Sequence, residues 1–275
     1  METAVERWEA LLNARARQMD AAYARLGRTS ADFWDRRAQR FHSTTKDAVA
    51  HDPLFLRLQD VVTSQMSVLD VGAGTGRFTL ALASQVRHVT AVEPNVAMLG
   101  YLHRDASEQH FTNITVVQST WQEAPEDMAA DIVICSHVLY PIFAIEPFLA
   151  KLYAATRHTC YIYMRATAID ALLGDLWLHF HGDERCLPPA YIHALDVLFE
   201  MGIYANVEIV SLPMVLKYPS LDIATEEIAE QIILSNDEMT RTELRQLLQG
   251  WLVERDGMVM PPGGETVGAI ITLQK

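Results

Sequence analysis

The chain is short of cysteine, of basic charge and of long apolar runs, and each shortage excludes a class of protein. Three cysteines in 275 residues, Cys135, Cys160 and Cys186, stand far apart, so neither a disulfide framework nor a zinc knuckle is expected. No apolar stretch approaches the roughly 20 residues that cross a bilayer. The first residues read as a polar helix and not as a signal peptide, so a cytoplasmic protein without a membrane partner is expected. Basic residues number 22 against 35 acids, a formal net charge of −13. Nucleic-acid binding draws most of its affinity from Lys and Arg on phosphates. The densest basic group here, Arg15, Arg17, Arg36, Arg37 and Arg40, suits a solvated helix face, so nucleic acid is not an expected partner.

Half of the residues are hydrophobic, enough for one large core or two small ones. Trp8, Leu11, Leu12, Met19, Tyr23 and Leu26 repeat at helical spacing and stop at Gly27. A second helix is predicted over 30–41, and a third opens at Asp52-Pro53, an N-cap followed by proline at the first helical position. Residues 1–65 are therefore expected to form a helical extension or lid on a core spanning 66–275. From Ser67 strands and helices alternate, with strands near 67–71, 88–93, 114–118, 131–136 and 160–165 and helices near 77–86, 95–109 and 146–157. That order predicts a parallel sheet covered on both faces. Beyond Arg165 the spacing predicts helical insertions at about 168–205 and 218–258, a strand near 206–212, a helix over 238–253 and a closing strand at Val267–Thr272.

One stretch carries chemistry. Val68-Leu-Asp-Val-Gly-Ala-Gly-Thr-Gly-Arg77 runs a short apolar strand into three alternating glycines and then a helix, and Ala91-Val-Glu-Pro-Asn95 delivers an acid at the end of the next strand. Glycines there permit a tight strand-to-helix turn and bring a ligand close to the backbone, and a helix start favours anions. The dinucleotide fingerprint Gly-x-Gly-x-x-Gly would need glycine at position 77, which is arginine, and a P-loop would need Gly-Lys-Ser/Thr.

Leu69-Asp-Val-Gly-Ala-Gly-Thr-Gly76, with Glu93 beyond a second strand, resembles motif I and the acidic loop of class I S-adenosylmethionine (SAM) dependent methyltransferases. The resemblance covers about residues 67–165 and the last strand. It implies an α/β fold: a seven-stranded, doubly wound, mostly parallel sheet with an antiparallel last strand, N-terminal helices and a helical cap over the carboxyl edge. It also implies SAM as cofactor. On the matching positions, Gly72, Gly74 and Gly76 would meet the methionine part of SAM, Asp70 its amino group and Glu93 the ribose hydroxyls. Pro94, Asn95 and Met98 fall in the adenine-contacting segment. Thr120 and Trp121 stand where relatives carry an acid and a small residue beside the adenine, so Trp121 either stacks on the purine or is buried. Ser136-His-Val-Leu-Tyr140 resembles the segment facing the transferable methyl, which makes His137 and Tyr140 the candidates for catalysis. His137 serves there as a base of near-neutral pKa or as a pocket wall, and Arg165 is a further wall candidate. Trp34, Arg37, Ala38 and Phe41 resemble a helix that closes over the cofactor, so Trp34 joins the cofactor-binding set.

His179, His181, Asp183, Glu184 and Cys186 form a polar cluster without metal-ligand spacing, and no metal is expected. The expected activity is methyl transfer to a small-molecule acceptor, oxygen or nitrogen before carbon. A protein or RNA acceptor, or a non-catalytic SAM-binding scaffold, are the alternatives.

Overall fold

Near-continuous apolar runs form the middle of the sheet, as strands buried on both faces require. The computed structural model describes residues 2–29 and 49–275; the helix expected over 30–41, with Trp34, Arg37, Ala38 and Phe41, lies outside the described residues. Strands β1 (Ser67–Val71), β2 (His88–Val92), β3 (Ile114–Val117), β4 (Ala130–Ser136), β5 (Thr156–Arg165) and β6 (Asn206–Pro213) are followed by a two-stranded hairpin, β7 (Val253–Arg255) and β8 (Met258–Met260), and by β9 (Glu265–Gln274). The seven-stranded sheet has the order β3-β2-β1-β4-β5-β9-β6. β9 alone runs antiparallel, to β5 on one side and β6 on the other.

Side chains alternate along each strand, and β5 shows the result. Cys160, Ile162 and Met164 enter a core built with Trp8, Phe148, Leu152 and Val197, whereas Tyr161 and Tyr163 face Leu54, Leu58, Phe78 and Leu82 on the other side. The first layer comes from α1 (Ala4–Arg25), α5 (Ile145–Ala155) and α8 (Tyr191–Glu200). The second comes from α2 (Pro53–Gln59) and α3 (Arg77–Ala83). Helix α4 (Val96–Glu108) follows β2, and short helices α6 (Ile169–Leu172) and α7 (Gly174–His181) follow β5. Helices α9 (Leu221–Gln231) and α10 (Glu238–Trp251) occupy the β6–β9 connection.

Helix α1 starts with a Thr3–Glu6 capping box. Its amino-terminal half buries Trp8, whose indole N–H donates to the Ile142 carbonyl at 2.7 Å. Its other half carries Ala22 and Tyr23 into a separate apolar cluster with Trp177, Met214, Ile228 and Leu244. Asp52 caps α2 by accepting from the amides of Leu54 and Phe55. No helix among the described residues is long and apolar enough to cross a membrane.

Some expected bounds are corrected. The helix after β1 stops at Ala83 and α10 stops at Trp251. The region expected to be helical up to 258 holds the β7–β8 hairpin, which turns on Asp256 and Gly257 at φ of 53° and 71°. Asp-Gly with both residues at positive φ is the turn that matches strand twist, and the helical spacing read past Trp251 concealed it.

Candidate active site

The turn after β1 is held almost entirely by its own backbone. Gly72, Gly74 and Gly76 have φ of 73°, 57° and 88°. A Cβ at Gly72 would stand 2.3 Å from Val138 Cγ2, and one at Gly76 would stand 2.8 Å from Leu102 Cδ1. Those two glycines therefore admit neighbouring side chains, a packing reason that adds to the expected ligand approach. The amides of Gly72 and Ala73 donate to the Val92 carbonyl and that of Gly76 to Ala73. Asp70 is 2 % exposed and accepts from the Thr79 hydroxyl at 2.7 Å. Burial pushes its pKa up to about 6 against the opposing pull of Thr79. Through this hydrogen bond Asp70 ties β1 to α3.

Glu93, directly after β2, is 8 % exposed. One carboxylate oxygen accepts from the Gly74 amide and the other from the Asn95 amide, both at 2.9 Å. Burial raises its pKa and these two amides oppose the rise. Pro94 is exposed. Asn95 caps α4 by accepting from the amide of Met98, whose side chain is buried. Thr120 caps the next turn, exchanging hydrogen bonds with Glu123. Trp121 is 3 % exposed, packs into the core beneath α1 and α5 and lies under the Lys151 ammonium, 5.0 Å from the ring centroid. That burial agrees with one of its two expected readings.

A polar group closes the carboxyl ends of β4 and β5. Ser136 Oγ accepts from Arg77 at 3.2 Å, and Arg77 pairs with Asp52 at 3.1 Å. His137 holds φ at 60°, uncommon for a residue with a Cβ and concentrated at functional sites, while its amide donates to the Tyr163 carbonyl at 2.7 Å. His137 Nδ1 lies 3.1 Å from the Tyr140 hydroxyl, whose oxygen accepts from the Arg165 amide at 2.7 Å. Burial, reinforced by Arg77 and Arg165, drives the His137 pKa well below the ordinary imidazole value. Burial pushes Tyr140 up to about 12.

Asp52, Arg77 and Tyr163 were not recognised from sequence as part of this group. Arg77 left a signal: a base in the first turn of a helix opposes the dipole and wants an acid, which Asp52 supplies. The polar cluster after α7 does not join the site. His179 pairs with Glu243, His181 with the Ile232 carbonyl, and Asp183 accepts from Gln18 and Trp177. A cleft of about 400 Å³ lined by Ser67, Arg87, Ala130 and Arg157 lies at the opposite, amino-terminal edge of the strands, away from the glycine turn.

Residues 62–186 match a family model described as a methyltransferase domain. An uncharacterized protein of Haemophilus influenzae is 25 % identical over 179 residues, 64 % of this chain and 65 % of that protein. A ubiquinone biosynthesis O-methyltransferase of Rickettsia akari is 32 % identical over 89 residues, 32 % of this chain and 35 % of its own. The chain thus spans less than two thirds of both. Among solved structures, magnesium protoporphyrin IX methyltransferase of Synechocystis with bound S-adenosylhomocysteine superposes with a TM-score of 0.50 at 12 % identity, covering 86 % of this chain and 83 % of that one.

Proposed function

This chain belongs to the class I S-adenosylmethionine-dependent methyltransferases, and on that premise we propose that it transfers a methyl group from SAM to a small molecule held over the ends of β4 and β5. The observation that carries the cofactor is Glu93. Its two oxygens each take one backbone amide, so each keeps a lone pair for one hydroxyl of a ribose diol. A carboxylate on the Gly74 amide also occupies the place where a dinucleotide would put its pyrophosphate and repels phosphate there. The donor set suits a nucleoside without phosphates.

Bound SAM supplies an activated methyl on a sulfonium. The chain's own residues bind, orient and exclude water. Gly72, Gly74, Gly76 and Ser136 border the methionine end, held in place by Asp70 and Thr79. Pro94, Asn95 and Met98 border the adenine, with Thr120 at its rim. In this reading the Tyr140 hydroxyl, whose oxygen accepts from the Arg165 amide, donates to His137 Nδ1, which puts the ring proton on Nε2 as a donor to the acceptor molecule. In this reading His137 and Tyr140 position the acceptor and supply no base, and alignment of the reactants provides the rate. An oxygen or nitrogen acceptor that arrives with a free lone pair, as an anionic oxygen or a neutral amine, suits a site that supplies no base, whereas carbon must first lose a proton. The Rickettsia relative's name and the chain's acidic charge support a small acceptor. Residues 1–65 as an extension, and 168–205 with 218–258 as a cap, complete the proposal.

Isothermal titration with SAM tests it. Glu93→Ala is expected to weaken binding by about 1–3 kcal/mol, and unchanged affinity removes the assignment. Release of S-adenosylhomocysteine with trial acceptors separates an enzyme from a SAM-binding scaffold.

A further inference from the structure

Arg165 ends β5, and Tyr163 precedes it by two residues, so both point to the sheet face covered by α2 and α3. The Tyr163 ring is fully buried in that face, yet its hydroxyl has no hydrogen-bond partner among the described residues. A buried donor left without an acceptor is unfavourable, and a ligand oxygen would relieve it. The groups whose charge it feels are Asp52, Arg77, Arg165 and Tyr140. The guanidinium of Arg165 donates to the Thr266 hydroxyl at 3.1 Å and pairs with no acid among the described residues. Asp52 is already committed to Arg77 and to capping α2. Two guanidiniums thus share one carboxylate, and the neutral His137 does nothing to reduce the excess.

Gly268 on β9 pairs with Arg165 across the strands. A Cβ there would stand 3.1 Å from Tyr163 Cε2 and 2.8 Å from Leu212 Cδ1, so glycine is what lets the ring lie in this position. β5 lies two strands from β1, roughly 10 Å, so an anion at Arg165 is on the acceptor's side and clear of the methionine end. The aromatic rings of His137, Tyr140 and Tyr163 give it an apolar surround.

We propose that the methyl acceptor carries a carboxylate on an aromatic or apolar body, received by the Arg165 guanidinium and the Tyr163 hydroxyl. This rests on the pocket's being the acceptor site. The test uses the full chain, alone and saturated with S-adenosylhomocysteine, titrated with benzoate and with benzamide, its neutral isostere, and followed by calorimetry. Benzoate is expected to bind at least about tenfold more tightly than benzamide, a charge-assisted pairing. Arg165→Gln should abolish that preference and Arg165→Lys should restore part of it. Tyr163→Phe should lose about threefold in benzoate affinity while remaining folded, because the hydroxyl has no partner among the described residues. Equal binding of benzoate and benzamide, or full benzoate affinity in Arg165→Gln, overturns the proposal. So does an equally strong response to inorganic phosphate, which would mark a general anion site. Failure to bind S-adenosylhomocysteine refutes the cofactor reading separately, since the chain alone still reports on benzoate.

Discussion

At the residue scale, His137 concentrates several effects in one side chain: a positive φ, a part-buried ring and a hydroxyl on Nδ1. An unfolded histidine titrates near 6.5, while this ring stays neutral well below its ordinary value. Below about pH 6.5 the unfolded chain therefore takes up a proton that the native chain refuses. The residue's share of stability is complete above that pH and is lost as the pH falls, at up to about 1.4 kcal/mol per pH unit. Asp70 acts in the opposite sense: with its folded value raised to about 6, its contribution is complete below about pH 4 and is lost as the pH rises through about 6. The residue-specific measurement is therefore a difference. Urea unfolding of wild type and His137→Asn, a residue that accepts positive φ, at pH 5, 6 and 7 should give a shallower acid limb in the variant. Parallel curves would place the imidazole in contact with water. None of this was visible in Ser136-His-Val-Leu-Tyr140 as a string: a histidine after a strand announces a site, but its pKa depends on Arg77 and Arg165, which the fold brings from elsewhere.

At the element scale, Asp52 joins two helices. It caps α2 with one oxygen and holds Arg77 at the start of α3 with the other. Losing a cap costs about 1 kcal/mol, and stranding the partner of a buried ion pair costs about 3–5 kcal/mol. Asp52→Ala should therefore lose about 3–5 kcal/mol in chemical denaturation. Asp52→Asn keeps an acceptor for the cap and should lose less of it. A loss near 1 kcal/mol in the alanine variant would show that Arg77 finds another partner. The cap was readable from Asp-Pro because capping is local in sequence, whereas the ion pair joins elements separated by β1. The same contrast explains the rest. Strands read from apolar runs and alternation took their places in the sheet, including the antiparallel last one. The β7–β8 hairpin was missed because its Asp-Gly signal sits against the end of an amphipathic helix, and Trp121 kept two readings because burial and stacking look alike in a sequence.

At the scale of the whole molecule, a chain of net charge −13 carries Arg77, Arg165 and Asp52 at the carboxyl ends of its central strands. SAM carries a net positive charge at neutral pH, so the outer field attracts it, and such steering weakens as salt shortens the Debye length from about 30 Å at 0.01 M to about 3 Å at 1 M. The association rate of SAM in stopped flow is expected to fall several-fold over that range, with dissociation nearly constant. A salt-independent association rate would confine the acids' influence to solubility. Helix α1 adds a purely mechanical consequence. Its 22 residues rise about 33 Å, with Trp8 seated beside the sheet and Tyr23 among α9 and α10. It works as a ruler: one extra turn between those two seats would push them about 5.4 Å further apart. The height of the roof above the floor is thereby written into the count of residues in a single helix.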